Sequence, residues 1–266
     1  MKMVAAARLK RAEDRARTIK PYADRLQSFM DSFTINPENL PHPLAEVRTH
    51  VNHSGLLVLT SDKGLCGSYN SNILRGAQAW MKDRDLAKVR VYALGRKAWD
   101  SYKKHPEINV AERFINFDQT LPYKEVKNLV DLVSSDYIDG KIDELFVLYT
   151  HYVSPAVCRP TLEHLLPIVS TKEKKDHEDH ADFIIEPSPE AVLGILFPKF
   201  VYTRILMALA HSFASEQGQR MVAMTNATDS AKEMVENLTL VYNKVRQAAI
   251  TREISEIVGG SEALKK

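Results

Sequence analysis

Residues 214–260, ASEQGQRMVAMTNATDSAKEMVENLTLVYNKVRQAAITREISEIVGG, decide the fold of this chain because they carry a long helical repeat. A mostly apolar stripe, which begins slightly earlier, recurs at alternating steps of three and four residues. It consists of Met207, Ala210, Ala214, Gln217, Met221, Met224, Thr228, Ala231, Val235, Leu238, Tyr242, Val245 and Ala249. This period is typical of a coiled coil and not of an ordinary surface helix. We therefore predict that the segment pairs with another helix.

The same helix is predicted to begin at Ser188, a capping residue followed by a proline at the first helical position and an acid in the first turn. Apart from Pro198, no strong helix breaker follows before Gly259 and Gly260. About 70 helical residues would span on the order of 100 Å. We expect part of so long a helix to project and to need a partner.

The N-terminal segment, residues 1–33, shows the matching repeat. Its stripe consists of Ala5, Leu9, Ala12, Ala16, Ile19, Ala23, Leu26, Met30 and Phe33. Because Pro21 lies off this stripe, we predict a kink there and not the end of the helix. No capping residue precedes Met1, so this helix lacks a start signal.

Between these segments, the chain alternates between strand-like and helix-like runs. The strand-like runs are residues 56–60, 89–94, 109–114, 145–150 and 157–168. The helix-like runs are residues 70–84, 96–104 and 124–140, while residues 34–54 and 171–180 are predicted to be loops. Strands that alternate with helices predict βαβ units and a mostly parallel sheet.

The predicted fold is therefore of the α/β class with an unusual insertion. An antiparallel two-helix coiled coil, formed by residues 1–33 and 188–258, holds between its helices a Rossmann-like α/β domain of residues 55–187. Antiparallel pairing is expected because both helices must meet the same domain.

Composition excludes several classes of protein. The 266 residues are 44% hydrophobic and 26% charged, and the net charge of +2 argues against nucleic acid as the main partner. The two cysteines, Cys66 and Cys158, are too few for a disulfide scaffold or a zinc site, and they favour a reducing compartment. No unbroken apolar run approaches the roughly 18 residues of a membrane span, and the charged N-terminus is no signal peptide. Any membrane association is expected to be indirect.

The stretch TSDKGLCGSYNSNI, residues 60–73, is the strongest candidate for an enzyme site. It follows a strand, precedes a helix and resembles a nucleophile elbow, with Cys66 or Ser68 as the nucleophile. A phosphate loop is a weaker alternative, because Lys63 precedes the glycines and neither standard glycine-rich motif is present. The third interpretation, which we favour, is a turn in which Gly64 and Gly67 reverse the chain.

Two further local predictions concern this stretch and a later loop. Asn70 or Ser71 is predicted to cap the helix after the turn. Residues 176–180, DHEDH, place His177 and His180 at a spacing that suits a metal ion, but the Lys- and Glu-rich surroundings favour an exposed loop.

The last part of the chain surrounds a narrow apolar stripe with polar groups. They are Asn243, Lys244, Arg246, Gln247, Thr251, Arg252, Glu253 and Glu256. For most helices such a face is only solvated, but a projecting helix that needs a partner favours a binding surface here.

Three segments, residues 1–13 (MKMVAAARLKRAE), 60–73 and 214–260, resemble the gamma subunit of the rotary F-type ATP synthase. The resemblance covers essentially the whole chain in the right order. It implies that the end helices form a central shaft inside a ring of alternating alpha and beta subunits. It places the α/β domain lower, near the membrane, against the epsilon subunit and the c ring.

The resemblance also implies a function. Proton flow would turn the c ring and the shaft, and the beta subunits would make ATP. The gamma subunit itself would bind no nucleotide, metal or other cofactor and would supply no catalytic residue. The complex would lie on the cytoplasmic face of a bacterial inner membrane.

Eight residues are implied by this resemblance to contact the alpha–beta ring. They are Met1, Lys2, Arg220, Arg246, Gln247, Thr251, Glu253 and Glu256. Their role would be to transmit torque through contacts that break on each turn. A uniform rod would give every beta subunit the same bias, so uneven side chains are expected on the shaft.

The chain departs from the family pattern in two respects. Family members usually continue the first helix before the Met-Lys-Met-Val block, so part of the coiled coil is expected to be unpaired. Plant-type members carry a redox insert with a cysteine pair, and neither Cys66 nor Cys158 lies in such an insert. We expect no thiol switch. The alternatives to a rotor shaft are a hydrolase that uses Cys66 or Ser68 and a coiled-coil adaptor outside energy metabolism.

Overall fold

The computed structural model describes residues 1–33, 42–168 and 188–263, and a five-stranded sheet lies at its centre. The strands are β1 (Ser54–Leu59), β2 (Val89–Leu94), β3 (Asn109–Phe114), β4 (Glu144–Tyr152) and β5 (Cys158–Leu166). The helices are α1 (Lys2–Phe33), α2 (Tyr69–Met81), α3 (Arg96–Tyr102), α4 (Tyr123–Ile138) and α5 (Pro189–Ala263). A short 3₁₀ turn, Leu86–Lys88, precedes β2.

The strand order is β3-β2-β1-β4-β5. The pairs β1–β2, β1–β4 and β2–β3 are parallel, and only β4–β5 is antiparallel. The predicted α/β fold with a mostly parallel sheet is therefore confirmed. Strands β4 and β5 are antiparallel because a short turn joins them, whereas the parallel pairs need helical crossovers.

Alternating residues of the strands are buried on both faces of the sheet. Leu57 and Leu59 of β1 pack in a core with α4, α1 and α5. Leu56 and Val58 of the same strand pack on the opposite face, against α2 and α3. This two-sided burial explains why β1 is a continuous apolar run without polar alternation.

Helices α1 and α5 pair in antiparallel fashion in the first part of α5. Leu9 and Ala12 of α1 pack with Ala214. Further along α1, the Gln27 side chain accepts a hydrogen bond from Arg204 at 3.2 Å. The residue numbers of α5 therefore decrease along the contact as those of α1 increase, as in an antiparallel pair. The predicted stripe of α1 faces inward, and the helix continues through the exposed Pro21.

The start of α5 agrees with its predicted cap. The backbone amide of Ala191 donates to the Ser188 hydroxyl oxygen at 3.3 Å. The helix does not end at the glycines, however, because Gly259 and Gly260 both lie within it. An isolated glycine costs a helix only about 1 kcal/mol and does not stop it as a proline would.

The chain divides into two compact units, Met1–Val222 and Ala223–Lys266. The first contains α1, the whole sheet and the first part of α5. The second is the remainder of α5, in which the side chains of residues 226–261 are exposed except for the half-buried Asn243. The division into parts at 1–33, 55–187 and 188–258 stays a prediction.

One stretch of α5, within Ala191–Ser261, is long and apolar enough by length and composition to cross a membrane, and 44% of that stretch is buried inside the protein. Core helices pass the same test, and Phe197, Val201 and Ile205 of α5 are core residues. The composition of α5 is therefore weak evidence for a span. This part of the helix contains no unbroken apolar run of about 18 residues, because Pro198, Lys199 and Arg204 interrupt it.

Candidate functional site

The loop between β1 and α2 reverses the chain differently from the prediction. Gly67 takes a left-handed conformation with φ of 57°, as expected. The second left-handed residue is Leu65, at φ 61°, and not Gly64. A leucine accepts this conformation at a cost of about 1–2 kcal/mol, and its side chain is exposed. The prediction that Gly64 supplies the reversal is therefore wrong.

Asn70 holds the loop together and does not cap the next helix. Helix α2 begins at Tyr69, after Ser68, whose side chain makes no capping bond. The Asn70 side-chain oxygen accepts from the Ser61 amide at 3.0 Å, and its nitrogen donates to the Cys66 sulfur at 3.2 Å. The predicted cap at Asn70 or Ser71 is wrong because both residues lie inside the helix.

Cys66 has the surroundings of a structural thiol. Its side chain is buried, and burial raises the pKa of the thiol, although hydrogen bonding to Ser61 and the charge of Arg220 oppose that shift. Within the described residues, its sulfur contacts Asn70, the Ser61 hydroxyl and the Lys63 carbonyl. A nucleophilic cysteine needs a lowered pKa and a base beside it.

Ser68, the other candidate nucleophile, lies at the start of α2. Its hydroxyl oxygen accepts a hydrogen bond from the side-chain nitrogen of Asn72 at 3.2 Å. An amide side chain is no general base, so this contact does not activate the serine.

The crevice between the carboxyl ends of β1 and β4 is occupied by the protein itself. In open parallel sheets, ligands bind where the order of the strands reverses, which here is between these two strands. The Ser215 hydroxyl of α5 donates to the Thr150 carbonyl at 3.1 Å at the end of β4. The Ser212 hydroxyl lies 2.5 Å from the Tyr69 hydroxyl, beyond the end of β1. Side chains of α5 therefore occupy the position where a nucleotide would bind.

A larger cleft of about 900 Å³ lies beside this crevice, between α1, α5 and the loops that follow β1 and β3. Its basic lining residues are Arg8, Arg11, Arg15, Lys63 and Arg220, and its acidic ones are Asp62, Asp118 and Glu216. Met1 also lines it. The cleft therefore presents a net positive surface at the carboxyl edge of the sheet.

Glu216 is the buried centre of a polar network in this cleft. Its carboxylate forms an ion pair with Arg220 at 2.7 Å and accepts from the Gln119 side chain at 3.1 Å. Burial raises the pKa of Glu216 and outweighs the opposing effect of Arg220. The Gln119 backbone carbonyl accepts from Arg15 of α1, so the network joins three elements.

Arg220 connects this network to the loop after β1. Its Nη2 atom donates to the carbonyl oxygens of Lys63 at 3.3 Å and Gly64 at 3.2 Å. One guanidinium therefore fastens the loop to α5 and also neutralises Glu216.

The eight residues expected to contact a partner fall into two groups. Met1 and Arg220 line the same cleft of the first unit, and Lys2 is exposed at the start of α1. The other five are exposed in the second unit: Arg246, Gln247, Thr251, Glu253 and Glu256. The Thr251 hydroxyl donates to the Gln247 carbonyl at 2.9 Å, and Glu256 pairs with Arg252 at 2.8 Å.

The candidate metal ligands, His177 and His180, lie outside the described residues together with Asp176, Glu178 and Asp179.

The sequence patterns did not predict the roles of Glu216, Gln119 and Arg15 in the cleft. The signal that could have found the first was the unbroken polar run of residues 215–217 in a helix predicted to be paired, because such polar groups need partners.

Comparison with known proteins was consistent with this architecture. The model of the ATP synthase family described as "ATP synthase" matches residues 1–264. An ATP synthase gamma chain of Desulfitobacterium hafniense is 40% identical over 265 residues, covering 100% of this chain and 92% of that protein. One from Chloroherpeton thalassium is 38% identical, with the same two coverages.

Solved structures show the same fold at lower identity. A chain of the Tetrahymena thermophila mitochondrial ATP synthase central stalk and c ring matches with a TM-score of 0.66 and 23% identity, covering 86% of this chain and 97% of that one. A chain of the Euglena gracilis mitochondrial ATP synthase matches with a TM-score of 0.64 and 16% identity, covering 99% and 94%.

Proposed function

Because this chain belongs to the gamma-chain family of ATP synthase and serves as the central rotor shaft, we propose that it acts on the beta subunits through uneven contacts along α5. The shaft couples ion flow through the membrane sector to ATP synthesis or hydrolysis. A rotating element shifts a binding site between conformations only if it contacts those conformations differently. The shaft surface must therefore differ from side to side.

The observation that carries this proposal is the exposed surface of the second unit. Arg246 and Gln247 are followed directly by Ala248 and Ala249. At about 100° per residue, residues two positions apart lie on nearly opposite sides of the helix, so each bulky polar side chain is opposed by a small one. All four are exposed. An exposed helix gains most of its stability by packing against a partner.

We assign the contacts with the alpha–beta ring to the eight residues described above. Met1, Lys2 and Arg220 would act near the cleft, and the five polar residues of the second unit would act further along α5. Each exposed contact contributes only about 1 kcal/mol, and it must also break on every turn. The loss of one contact should therefore weaken coupling without abolishing it.

The remaining partners follow from the family. We propose that the α/β part of the chain meets the epsilon subunit and the c ring, and that alternating alpha and beta subunits surround the shaft. ATP synthase is a membrane-associated complex and the two gamma chains named above are bacterial, which favours the cytoplasmic face of a bacterial inner membrane.

We also propose that the chain supplies no catalytic residue and needs no cofactor or thiol switch. The buried Cys66, the Ser68 hydroxyl without a base and the occupied crevice at the end of β1 support this. Replacing Cys66 with alanine tests it. Unchanged ATP turnover after mixing with alpha and beta subunits fits the shaft, whereas loss of a hydrolytic activity of the chain alone would favour a hydrolase.

Reconstitution with alpha, beta and the membrane sector tests the contact assignment. The double variant Arg246→Ala/Gln247→Ala should lower ion pumping per ATP hydrolysed by up to about thirtyfold, since each contact contributes at most about 1 kcal/mol, a factor of about five. Lys232→Ala, at an exposed site in the same helical unit outside the assigned set, is the matched control. Equal pumping ratios in both variants would refute the assignment, and failure of the wild-type chain to co-purify with the ring would favour an adaptor.

A further inference from the structure

A second cleft lies at the amino edge of the sheet, opposite the edge that carries the candidate site. Helix α2 ends at Met81 before the connection into β2, and α3 ends at Tyr102 before the connection into β3. Between these helix ends is a cleft of about 330 Å³. This volume is at the small end of the range found for small-molecule sites.

The floor of this cleft is apolar. Met81 and Tyr102 are buried there, and Leu86 and Ile108 are half-buried at its sides. Leu86 and Ile108 belong to the connections that enter β2 and β3, so strand pairing positions them. An alkyl chain placed here would be removed from water on several sides, which is the main source of affinity for apolar ligands.

The rim of the cleft carries positive charge. Lys82 is exposed and forms no ion pair within the described parts of the chain. Arg84 is held over the Trp80 ring at 4.0 Å and donates to the Trp80 carbonyl at 2.9 Å. The lining residues include no acid, and the nearby Glu107 is already bonded to His105 at 3.0 Å. Lys82 is therefore the lining cation for which the described residues provide no partner.

Tyr102 adds an unmet hydrogen-bond donor to this end of the molecule. Its hydroxyl is buried and has no partner among the described residues. Burial raises its pKa, so the group keeps its proton and remains a donor. A buried donor without a partner costs about 1–3 kcal/mol, and an incoming acceptor would relieve that cost.

We propose that this cleft binds a small amphipathic monoanion, namely an alkyl chain that ends in one acidic group. The chain would lie against Leu86 and Ile108, and the acidic group would lie on the side of Lys82. The site is separate from the ring contacts, which use the opposite edge of the sheet and α5. Its chemistry fits either a free fatty acid or the acidic lipid of a bilayer.

Titration of the full chain with decanoate below its micelle concentration tests this proposal. Tryptophan fluorescence reports on the site, because the two tryptophans, Trp80 and Trp99, lie on the helices that flank it. We expect saturable binding whose affinity rises about fourfold for each added CH₂ from octanoate to decanoate. Decanol should bind at least about tenfold more weakly, and acetate should produce no change.

The matched variants are Lys82→Glu and Lys88→Glu, which both reverse an exposed lysine, although only Lys82 lines the cleft. Lys82→Glu should weaken decanoate binding by about tenfold and Lys88→Glu by less than about twofold, with unchanged circular dichroism in both. Absence of saturation, equal binding of decanol and decanoate, or equal effects of the two variants would each overturn the proposal.

Vesicles of phosphatidylglycerol distinguish the two sources of the ligand. Vesicle binding that is lost in Lys82→Glu but kept in Lys88→Glu assigns a bilayer lipid. Decanoate binding without such vesicle binding assigns a free fatty acid.

Discussion

At the scale of single residues, the structure places one arginine, Arg220, at the contact between α5 and the loop after β1. Arg220 neutralises the buried carboxylate of Glu216 and also bonds the carbonyls of Lys63 and Gly64. A buried charge is tolerated only when it is paired, so the loop after β1 and the polar centre of the cleft depend on the same guanidinium.

Removal of that guanidinium should be costly because it leaves a buried acid unpaired. We predict that Arg220→Ala lowers the free energy of unfolding by about 3 kcal/mol. Urea denaturation at pH 7 measures this. The double variant Arg220→Ala/Glu216→Gln should recover a large part of the loss, since no charge then remains buried. An equal loss in both variants would show that packing, and not charge, is responsible.

His211 makes the stability of the first unit depend on pH. Its pKa is lowered to about 4, chiefly by burial and then by the charges of His151 and Lys20, while a bond with the Tyr152 backbone opposes the shift. The rings of His211 and His151 stack at 4.3 Å. The unfolded state then binds the proton more readily, so stability is full above about pH 6.5 and is lost as pH falls towards 4.

We therefore predict that His211→Gln reduces the dependence of unfolding free energy on pH between 7 and 5. Parallel urea curves for wild type and variant measure the difference. His50→Gln, at an exposed histidine, is the control and should leave the dependence unchanged. An identical slope in wild type and His211→Gln would contradict the assignment.

At the scale of elements, sequence patterns predicted the strands and helices well. The bounds of β2 and β3 agree with the predicted runs, since each is an isolated apolar or alternating run between turn residues. The loop after β1 was harder, because its conformation depends on contacts from far along the chain. Leu65 is held in a left-handed conformation, a choice that no local rule would favour.

The turn between β2 and α3 shows how closely two elements approach at the carboxyl edge. Gly95 has φ of 93°, and a Cβ atom there would lie 2.3 Å from the Thr60 carbonyl oxygen. We predict that Gly95→Ala lowers the unfolding free energy by at least about 3 kcal/mol, from strain and overlap with the backbone. Gly64→Ala, where no atom lies within 4 Å, should change it by less than about 0.5 kcal/mol. Thermal denaturation compares the two variants.

At the scale of the whole molecule, the chain combines a buried unit with a helix that is largely exposed. Strands β1 and β4 lie in the core of the first unit, whereas residues 226–261 expose apolar as well as polar side chains. Helices in water obtain most of their stability from packing, so an exposed one is only marginally stable. The second unit should gain its order from the assembled complex.

Hydrogen exchange tests this difference. In the isolated chain, backbone amides of residues 226–260 should exchange close to the unprotected rate, while those of β1 and β4 stay protected. After assembly with alpha and beta subunits, the exchange of residues 226–260 should slow by at least about tenfold. Equal protection before and after assembly would mean that the ring contributes no stability to this helix.

The sequence by itself determined the fold class, the two long end helices and the family of this chain. The apolar strand runs and the 3.5-residue helical repeat are local properties, and the segments that resemble the family are spread from residue 1 to residue 260. Only the tertiary structure decided the chemistry of TSDKGLCGSYNSNI. The hydrogen bond from Arg220 to the Gly64 carbonyl joins residues that are distant in sequence, while the Asn70 side chain contacts the buried Cys66 within the loop. Because burial and hydrogen bonding set the reactivity of a thiol, a local motif could not distinguish a nucleophile from a turn.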